Sequence, residues 1–580
     1  MWRLIPSLLI SVLSAGVARG DDTNSKGAVN PHSSQQKTST SVNRKLDQMQ
    51  EAIAAEQEKI QQLELQLQER DSVIQQLILQ MQHLQVSTAQ SERAAATAAS
   101  TGADEKVVVV DIRDDVSDLK SRVAGAAQAV QQTDKRVSAL ESPIAIHFKG
   151  VTLTPGGYLE AAAIYRTHNE NGDADSTFGN IPFSGTANSF LSEFRGTARG
   201  SRITLLAQGK VHDWNASGYY EADFLGAAPT ANELESNSFN PRQRQLWGQL
   251  QFKNGLSVLA GQSWSLLTTD RKGLAPLQEM IPITIDYQYV VGYNWARQWG
   301  VRVTKDFNQH TWASLAIENP ETTLSVTNPP AGVFGFNTSL NAQSPNSQFT
   351  LSNTPGANGI STDAAPDLLA KVVFEPGWGH YEIKALGRLF RDRIAGSNDF
   401  NGGGGGGIGA VLPVTKKLDA ILEGLAGVGI GRYGSSVGPD VTLRPHGTIV
   451  PIHGLQTMAG LEWHPSSSWD LYAYGGDEYY GRSAYVNPAG RGTGYGSPLV
   501  NNSGCSIESP TATQPCEAQT RSIWQVQPGF WHRFYKGPAG TVQFGMSYSY
   551  TYRNTWVGAN RLQPKAIENM IMSSFRYYLP

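Results

Sequence analysis

Residues 541–553 read Thr-Val-Gln-Phe-Gly-Met-Ser-Tyr-Ser-Tyr-Thr-Tyr-Arg, in which apolar and polar side chains alternate. An alternation with a period of two indicates an extended strand with one apolar and one polar face. The stretch has about the 9–11 residues that a strand needs to cross a bilayer. Its apolar face ends in tyrosines, as in the aromatic girdle of a membrane barrel. Half of a soluble β-sandwich would show the same period.

A second alternating strand ends the chain. Ile571, Phe575 and Leu579 share one face, while Met572 and Arg576 lie on the other. A final strand of this kind is typical of an outer-membrane barrel, whose last strand closes the ring and leaves no unpaired edge. The two strands together favour an all-β transmembrane barrel over the sandwich.

The composition agrees with a barrel. The chain has 580 residues and 59 glycines, and its mean hydropathy is −0.32. After the first twenty residues, no stretch approaches the ~18 apolar residues of a spanning helix. Low hydropathy in a membrane protein is expected of a β-barrel, whose lumen face is polar. The net charge of −3 argues against a nucleic-acid partner.

The N-terminus predicts a secretory signal peptide over residues 1–20. Arg3 supplies the positive charge, residues 4–17 are mostly apolar, and small residues flank Arg19 before the expected cut. The alternative is a membrane anchor, but the apolar run is short and contains Pro6. Residues 21–42 are polar and rich in Ser, Thr and Asn, which predicts disorder.

A heptad pattern over residues 43–142 predicts an α-helical coiled coil. The first seam is interrupted by an Ala/Ser/Thr-rich stretch at 87–105 and resumes at Ile112. The second seam is in phase with the first, because Val116 follows Met81 by 35 residues. The alternative is a single amphipathic helix lying on another domain. The mixture of side chains in the seam does not decide between a dimer and a trimer. The first seam consists of Leu46, Ile53, Ile60, Leu67, Ile74 and Met81.

Residues 147–580 form the barrel candidate, in which short turns and long connections alternate. Seven turns and eight long connections join sixteen antiparallel strands, and this asymmetry is typical of transmembrane barrels. An even count places both ends of the barrel, and so the coiled coil, in the periplasm. The short turns are predicted at 212–217, 253–255, 307–310, 375–379, 414–417, 465–468 and 535–540. The long connections are predicted at 166–193, 227–241, 265–286, 318–365, 392–405, 434–448, 481–520 and 554–565.

Polar residues that alternate with apolar ones in these strands are expected to face the lumen. A charge on the lipid face would cost roughly 2–4 kcal/mol at the bilayer midplane. Their mixed signs argue against a purely anionic or purely cationic lining, and the alternative is that they have no selective role. The candidate pore-lining residues are Arg202, Thr204, Gln208, Glu221, Asp223, Gln245, Gln249, Arg302, His380, Glu382, Lys384 and Arg388.

The sequences of three further segments lead to specific predictions. The 265–286 connection is more apolar than a solvated loop needs, so it either folds into the lumen or packs at a subunit interface. Cys505 and Cys516 predict a local disulfide, which would stabilise the fold by roughly 3 kcal/mol, rather than a metal site. The six glycines at 402–407 predict a flexible loop tip, since no Gly-Lys-Ser/Thr follows them.

The chain resembles the DcaP-like trimeric outer-membrane porins, which are related to general and phosphate-selective porins. The resemblance rests on Gly-Ser-Arg-Ile from Gly200, Tyr-Tyr-Glu-Ala-Asp-Phe from Tyr219, Arg-Gln-Arg-Gln-Leu-Trp-Gly from Arg242, and Leu-Ala-Gly-Gln-Ser-Trp-Ser from Leu259. It implies a homotrimer that takes up small polar or anionic solutes passively. The chain departs from the family by ending on Pro580 rather than on an aromatic residue.

The resemblance also implies that four arginines are basic lumen residues. Arg202 and Arg302 agree with the strand alternation, whereas Arg242 and Arg244 would point outward unless a bulge intervenes. The arginines are therefore a test of the strand register.

The sequence thus predicts a bacterial outer-membrane porin rather than an enzyme. No Gly-x-Ser-x-Gly or His-Glu-x-x-His motif is present, and no cofactor or metal is expected. The alternative is a structural anchor, whose coiled coil tethers the membrane to the periplasm or cell wall. A trimeric adhesin is disfavoured, because here the barrel region holds most of the chain.

Overall fold

A computed structural model describes residues 145–172, 174–226, 240–329, 363–392 and 397–580. The signal peptide, the polar segment and the coiled coil predicted for residues 1–142 lie outside the described residues. Among the described residues, no helix has the length and apolar character needed to span a membrane.

The described residues are organised mainly as β-strands, with four short 3-10 helices at Phe178–Asn180, Ala187–Phe190, Gly431–Tyr433 and Ala559–Arg561. The strands of the described part are β1 (Ile146–Phe148), β2 (Val151–Arg166), β3 (Glu193–Thr197), β4 (Arg202–Val211), β5 (Trp214–Gly226), β6 (Asn240–Gln251), β7 (Leu256–Trp264), β8 (Arg297–Asp306), β9 (Thr311–Glu318), β10 (Asp367–Phe374), β11 (His380–Asp392), β12 (Asp399–Thr415), β13 (Leu418–Val428), β14 (Val441–Leu443), β15 (Ile449–Pro451), β16 (His453–Ser466), β17 (Trp469–Tyr480), β18 (Ser483–Val486), β19 (Gly492–Tyr495), β20 (Thr520–Gly537), β21 (Gly540–Thr555) and β22 (Lys565–Tyr578).

Sixteen of these strands form a closed antiparallel barrel. The ring runs β2, β4 to β13, β16, β17 and β20 to β22, and the pairing of β22 with β2 closes it. The short strand β3 pairs with the same edge of β2 as β4 does, so β3 and β4 form one interrupted wall strand. The predicted sixteen-stranded barrel is therefore confirmed. Outside the ring, β14 pairs with β15 and β18 pairs with β19 in two small sheets.

Each predicted short turn lies between two neighbouring strands of the ring. Two of them match the prediction residue for residue, at 307–310 and 375–379. Others are tighter, because the strands continue into them; the first turn is only residues 212–213. The long connections lie at the opposite end, and the one predicted at 265–286 continues to residue 296.

The glycine run was wrongly predicted to be a loop tip. It lies within β12, where Gly404 is opposite Gly387 of β11 and Val428 of β13. Gly404 has a φ of +133°, and a Cβ on it would lie 2.1 Å from the carbonyl oxygen of Leu386. Glycine is therefore required here by the backbone conformation and by the close approach of the neighbouring strand, not by loop flexibility.

The two faces of the barrel wall differ in polarity. Large apolar side chains point away from the barrel axis and are exposed, as shown by Leu315 at 67%, Ile383 at 60% and Ile408 at 63%. Their neighbours along the strands, such as Glu382 and Lys384, are buried inside. The alternation of strand β21 is observed as predicted, since Met546 and Tyr548 are exposed while Ser547 and Ser549 are buried.

Candidate functional site

The wall formed by β4, β5 and β6 carries five of the predicted lumen residues close together. The side chain of Arg202 is 21% exposed and forms an ion pair of 3.3 Å with Glu221 on β5. Thr204 lies opposite Glu221 in the β4–β5 register, and Gln208 lies further along β4, where it is exposed. Asp223, two residues after Glu221, is 1% exposed. All of them share the face opposite the exposed Ile203 and Leu205.

A β-bulge brings Arg244 to the same inner face. In the register of β5 and β6, Glu221 lies opposite Gln245 but the next residue, Ala222, lies opposite Gln243, so Arg244 is the extra residue. The strict alternation that would point Arg244 outward is therefore wrong. Its guanidinium donates to Glu221 and to Asp223, the latter at 2.8 Å.

Arg242 is also directed inward by this bulge. It donates two hydrogen bonds to the carboxylate of Asp223, at 3.0 and 2.8 Å, and its side chain is 35% exposed. The cluster of Arg202, Arg242, Arg244, Glu221 and Asp223, here called the arginine cluster, thus joins three guanidinium groups to two carboxylates. Its formal charge is positive by one.

Three other predicted residues lie on the neighbouring strands β6 and β8, and one of them contacts the arginine cluster. Gln245 donates to Glu221 at 2.7 Å, and Gln249, further along β6, is half-buried. Arg302 on β8 is 8% exposed and donates to the backbone carbonyl of Trp264 at 2.6 Å. Gln245 and Arg302 therefore hold groups of the wall in place, while Gln249 is the more accessible of the three.

The four predicted residues of β11 lie on the inner face but are covered. His380, Glu382, Lys384 and Arg388 are 3%, 2%, 2% and 5% exposed. Lys384 donates to the carbonyl of Leu267 at 2.7 Å, so this part of the wall packs against the start of the long β7–β8 connection. Glu382 likewise accepts from the backbone of Asp270, whereas His380 pairs with Glu382 and Arg388 with Asp367.

The β7–β8 connection, residues 265–296, lies inside the barrel and is here called the lumen loop. Its atoms bond to inward side chains around the ring. Tyr287 donates to Glu160 of β2 at 3.0 Å, and Trp531 of β20 donates to the carbonyl of Ile283 at 2.7 Å. Of the two alternatives that the sequence left open, the structure therefore shows the loop folded into the lumen.

Five glutamates of the barrel accept hydrogen bonds from backbone N–H groups of the lumen loop. Only Glu382 of these five was singled out in the sequence. A second of these glutamates, Glu423, could have been found from its alternation with the exposed Leu422 in β13. The bonds are Leu266 to Glu318 at 2.7 Å, Asp270 to Glu382 at 2.8 Å, Gly273 to Glu375 at 2.5 Å, Gly292 to Glu478 at 2.9 Å and Asn294 to Glu423 at 2.7 Å.

The arginine cluster touches the lumen loop through Tyr289. Arg244 donates to the hydroxyl of Tyr289 at 3.1 Å. Burial alone would raise the pKa of Tyr289, but Arg244 and Arg202 outweigh burial and lower it. The same positive field would attract an anionic group that enters the lumen beside the cluster.

Asp419, Glu462 and His464 form a group of potential metal ligands at the short-turn end of β13 and β16. Glu462 is already held by Arg271 through bonds of 2.9 and 2.7 Å. Nδ1 of His464 lies 2.6 Å from Asp470. The protein itself thus occupies much of the bonding capacity of this group.

Cys505 and Cys516 form a disulfide in the connection between β17 and β20. Cys505 is fully buried and packs with Ile181, Phe183 and Ala566. The bridge thus closes a turn within this connection, and the packing of Cys505 holds the turn against the β2–β3 connection and the start of β22.

Known structures include channels with this architecture. The outer-membrane channel DcaP of Acinetobacter baumannii is 16% identical, with a TM-score of 0.52 over 75% of this chain and 99% of that chain. The chain shares the fold of this channel. An anion-selective porin from Comamonas acidovorans matches at 10% identity and a TM-score of 0.39, over 74% of this chain and 100% of that chain. OprB of Pseudomonas putida matches at 11% and 0.37, over 73% of this chain and 94% of that chain. No protein-family model and no curated protein match the chain.

Proposed function

We propose that this protein is an outer-membrane porin through which small hydrophilic solutes diffuse passively. The observation that carries the proposal is the closed sixteen-stranded ring, whose outer face is apolar and exposed and whose inner face is polar and charged. A surface of this kind is suited to lipid outside and water inside. The fold that the chain shares with an outer-membrane channel supports the same function.

The arginine cluster supports a preference for anionic solutes. It carries one positive charge in excess, and Arg202 and Arg242 are its most accessible cations. In the proposed path, the lining consists of this cluster with Thr204, Gln208, Gln245 and Gln249. Glu382 and Lys384 would act by fixing the lumen loop, and Arg302 by fixing the end of β7 from which the loop starts. His380 and Arg388 would act through their buried ion pairs with the wall. The proposal needs neither a cofactor nor covalent chemistry. It includes assembly as a homotrimer, with the coiled coil in the periplasm.

A structural anchor is the second candidate. It is favoured by the burial of His380, Glu382, Lys384 and Arg388 and by the contacts of Glu382 and Lys384 with the lumen loop, because a filled interior transmits few solutes. The two functions differ in a single measurable property, which is the ion current through the folded protein.

The deciding experiment is electrical recording of the purified protein in a planar bilayer with a tenfold KCl gradient. A porin gives stable conductance steps, in groups of three for a trimer, and a reversal potential on the chloride side for anion preference. Folded protein that carries no current would overturn the porin proposal and favour the anchor. A reversal potential on the potassium side would overturn the anion preference alone.

A further inference from the structure

A patch of buried, uncharged side chains on the wall carries polar atoms that have no hydrogen-bond partner in the described part of the chain. Gln527 of β20 is fully buried, and neither its amide oxygen nor its amide nitrogen is bonded within the described residues. Nε2 of Gln525 and the hydroxyl of Ser549 are likewise buried and unbonded there. Groups of this kind are rare, because a buried polar atom without a partner costs about 1–3 kcal/mol.

The strand register brings these groups to one place. Tyr474 of β17 lies opposite Gln527. Val526 lies opposite Tyr550 in the pairing of β20 with β21, which puts Gln527 opposite Ser549. Their side chains point to the inner face, since the outward Val526 is 47% exposed. The unbonded amide and hydroxyl therefore face each other across neighbouring strands.

The lumen loop covers this patch. The backbone N–H of Val291 donates to Gln525 at 3.1 Å, and Trp531 donates to the carbonyl of Ile283 at 2.7 Å. These two contacts lie on either side of Gln527 along β20. The loop thus crosses the wall at Gln527 without supplying a hydrogen bond to it.

The surroundings select against an anion. The row that contains Gln527 continues through Ser549 to Met570 of β22, and these residues bear no formal charge. Its next residue, Arg166 of β2, is already paired with Glu170 and Glu193. Asp286 of the lumen loop lies nearby, because Ser176 bonds to it at 2.5 Å and also contacts the sulfur of Met570 at 3.6 Å. A negative guest would meet this acidic group.

We propose that Gln525, Gln527 and Ser549 form a binding site for a small neutral molecule that both donates and accepts hydrogen bonds. Water and a polyol of glycerol size share this chemistry. The site lies between the lumen loop and the wall and does not depend on the proposed function. A guest bonded to all three side chains would satisfy groups that the protein leaves unpaired.

The first test is the effect of Gln527→Leu on the unfolding midpoint in detergent micelles. If a guest is bound, the leucine takes away its partner and the midpoint falls. If the site is dry, the leucine removes an unsatisfied amide and the midpoint rises, which would overturn the proposal. Gln208→Leu, at an exposed glutamine of β4, is the matched control for the change in side chain.

Ser549→Ala provides the second variant, alone and combined with Gln527→Leu. The two side chains have no hydrogen bond with each other. If both side chains bind the same guest, the unfolding midpoint of the double variant falls by less than the sum of the two single losses. Losses that add up would contradict a shared guest. Glycerol titration then separates the two sources: a larger midpoint gain for the wild type than for Gln527→Leu identifies a polyol, and parallel gains identify water.

Discussion

Ser176, in the β2–β3 connection, donates a 2.5 Å hydrogen bond from its hydroxyl to Asp286 of the lumen loop. Both residues are buried, at 5% and 2% exposure. The backbone N–H of Gln288 also donates to this carboxylate, at 2.9 Å. Burial nevertheless raises the pKa of Asp286 to about 6, since these hydrogen bonds only partly offset the loss of solvation. One titratable group thus joins two connections that are 110 residues apart.

Because the pKa of Asp286 is raised, we expect a rise in pH through about 6 to weaken the attachment of the lumen loop. The folded protein binds this proton more tightly than the unfolded chain, where aspartate has a pKa near ~3.9. The stabilising contribution is therefore complete below about pH 4 and is lost as the pH rises through about 6. Unfolding midpoints measured from pH 4 to 8 should fall less steeply for Asp286→Asn than for the wild type.

Two comparisons sharpen the pH experiment. Asp213→Asn, in an exposed turn, should retain the wild-type slope. Burial raises the pKa of Glu170 to about 7, so part of the slope should persist in Asp286→Asn at higher pH. Identical slopes for Asp286→Asn and the wild type would show that Asp286 does not titrate in this range.

Lys371→Met is expected to destabilise the protein by about 3–5 kcal/mol. Lys371 is 1% exposed and lies 2.8 Å from Asp270 and 3.2 Å from Glu382. Its removal leaves two buried carboxylates without their shared cation. The free energy of unfolding in denaturant measures the loss. Lys253→Met, at a side chain that is 73% exposed, should change it by at most about 0.5 kcal/mol, and equal losses in both variants would refute the argument.

Two glycines of the same run should respond differently to alanine. Gly404→Ala forces a side chain into a φ of +133° against the carbonyl of Leu386, so a loss of at least about 1–3 kcal/mol is expected. A Cβ at Gly402 would have no atom within 4 Å, so the free energy of unfolding of Gly402→Ala should stay within about 0.5 kcal/mol of the wild-type value. Unfolding in denaturant tests both, and a costly Gly402→Ala would mean that the strand, not the local φ, demands glycine.

Arg202→Gln should move the reversal potential toward cation preference. A unit charge about 10 Å from a permeating ion in water is worth about 0.4 kcal/mol, with opposite signs for chloride and potassium. Its loss therefore corresponds to a roughly fourfold change in the chloride-to-potassium permeability ratio. Arg202→Lys keeps the charge and should keep the ratio. If both variants shift alike, the guanidinium shape rather than its charge matters.

The strands could be predicted because the alternation of side chains is a local property. Met546 and Ser547 lie on opposite faces, as their order in the chain implies. The inward position of Arg244 could not be predicted, since a single bulged residue reverses the alternation and has no sequence signal. The strand at Gly404 was missed because glycine has a low strand propensity, and only pairing on both sides holds it extended.

The position of the lumen loop could be predicted only as one of two alternatives, inside the lumen or at a subunit interface. Its apolar content shows that it is covered, but the surface that covers it depends on partners far away in the chain. Asn294, for example, bonds to Glu423, 129 residues further on. Pairings of this kind follow from closure of the ring rather than from local periodicity.

The glutamates that hold the lumen loop bind its main chain, through N–H groups that every residue except proline possesses. These five bonds are thus independent of the side chains at their positions in the loop, unlike the side-chain contacts of Asp270, Asp286 and Tyr287. Exchange of Lys272, an exposed residue of the loop, leaves all five bonds in place. The surface that the loop presents can therefore change while its main-chain attachment to the wall does not.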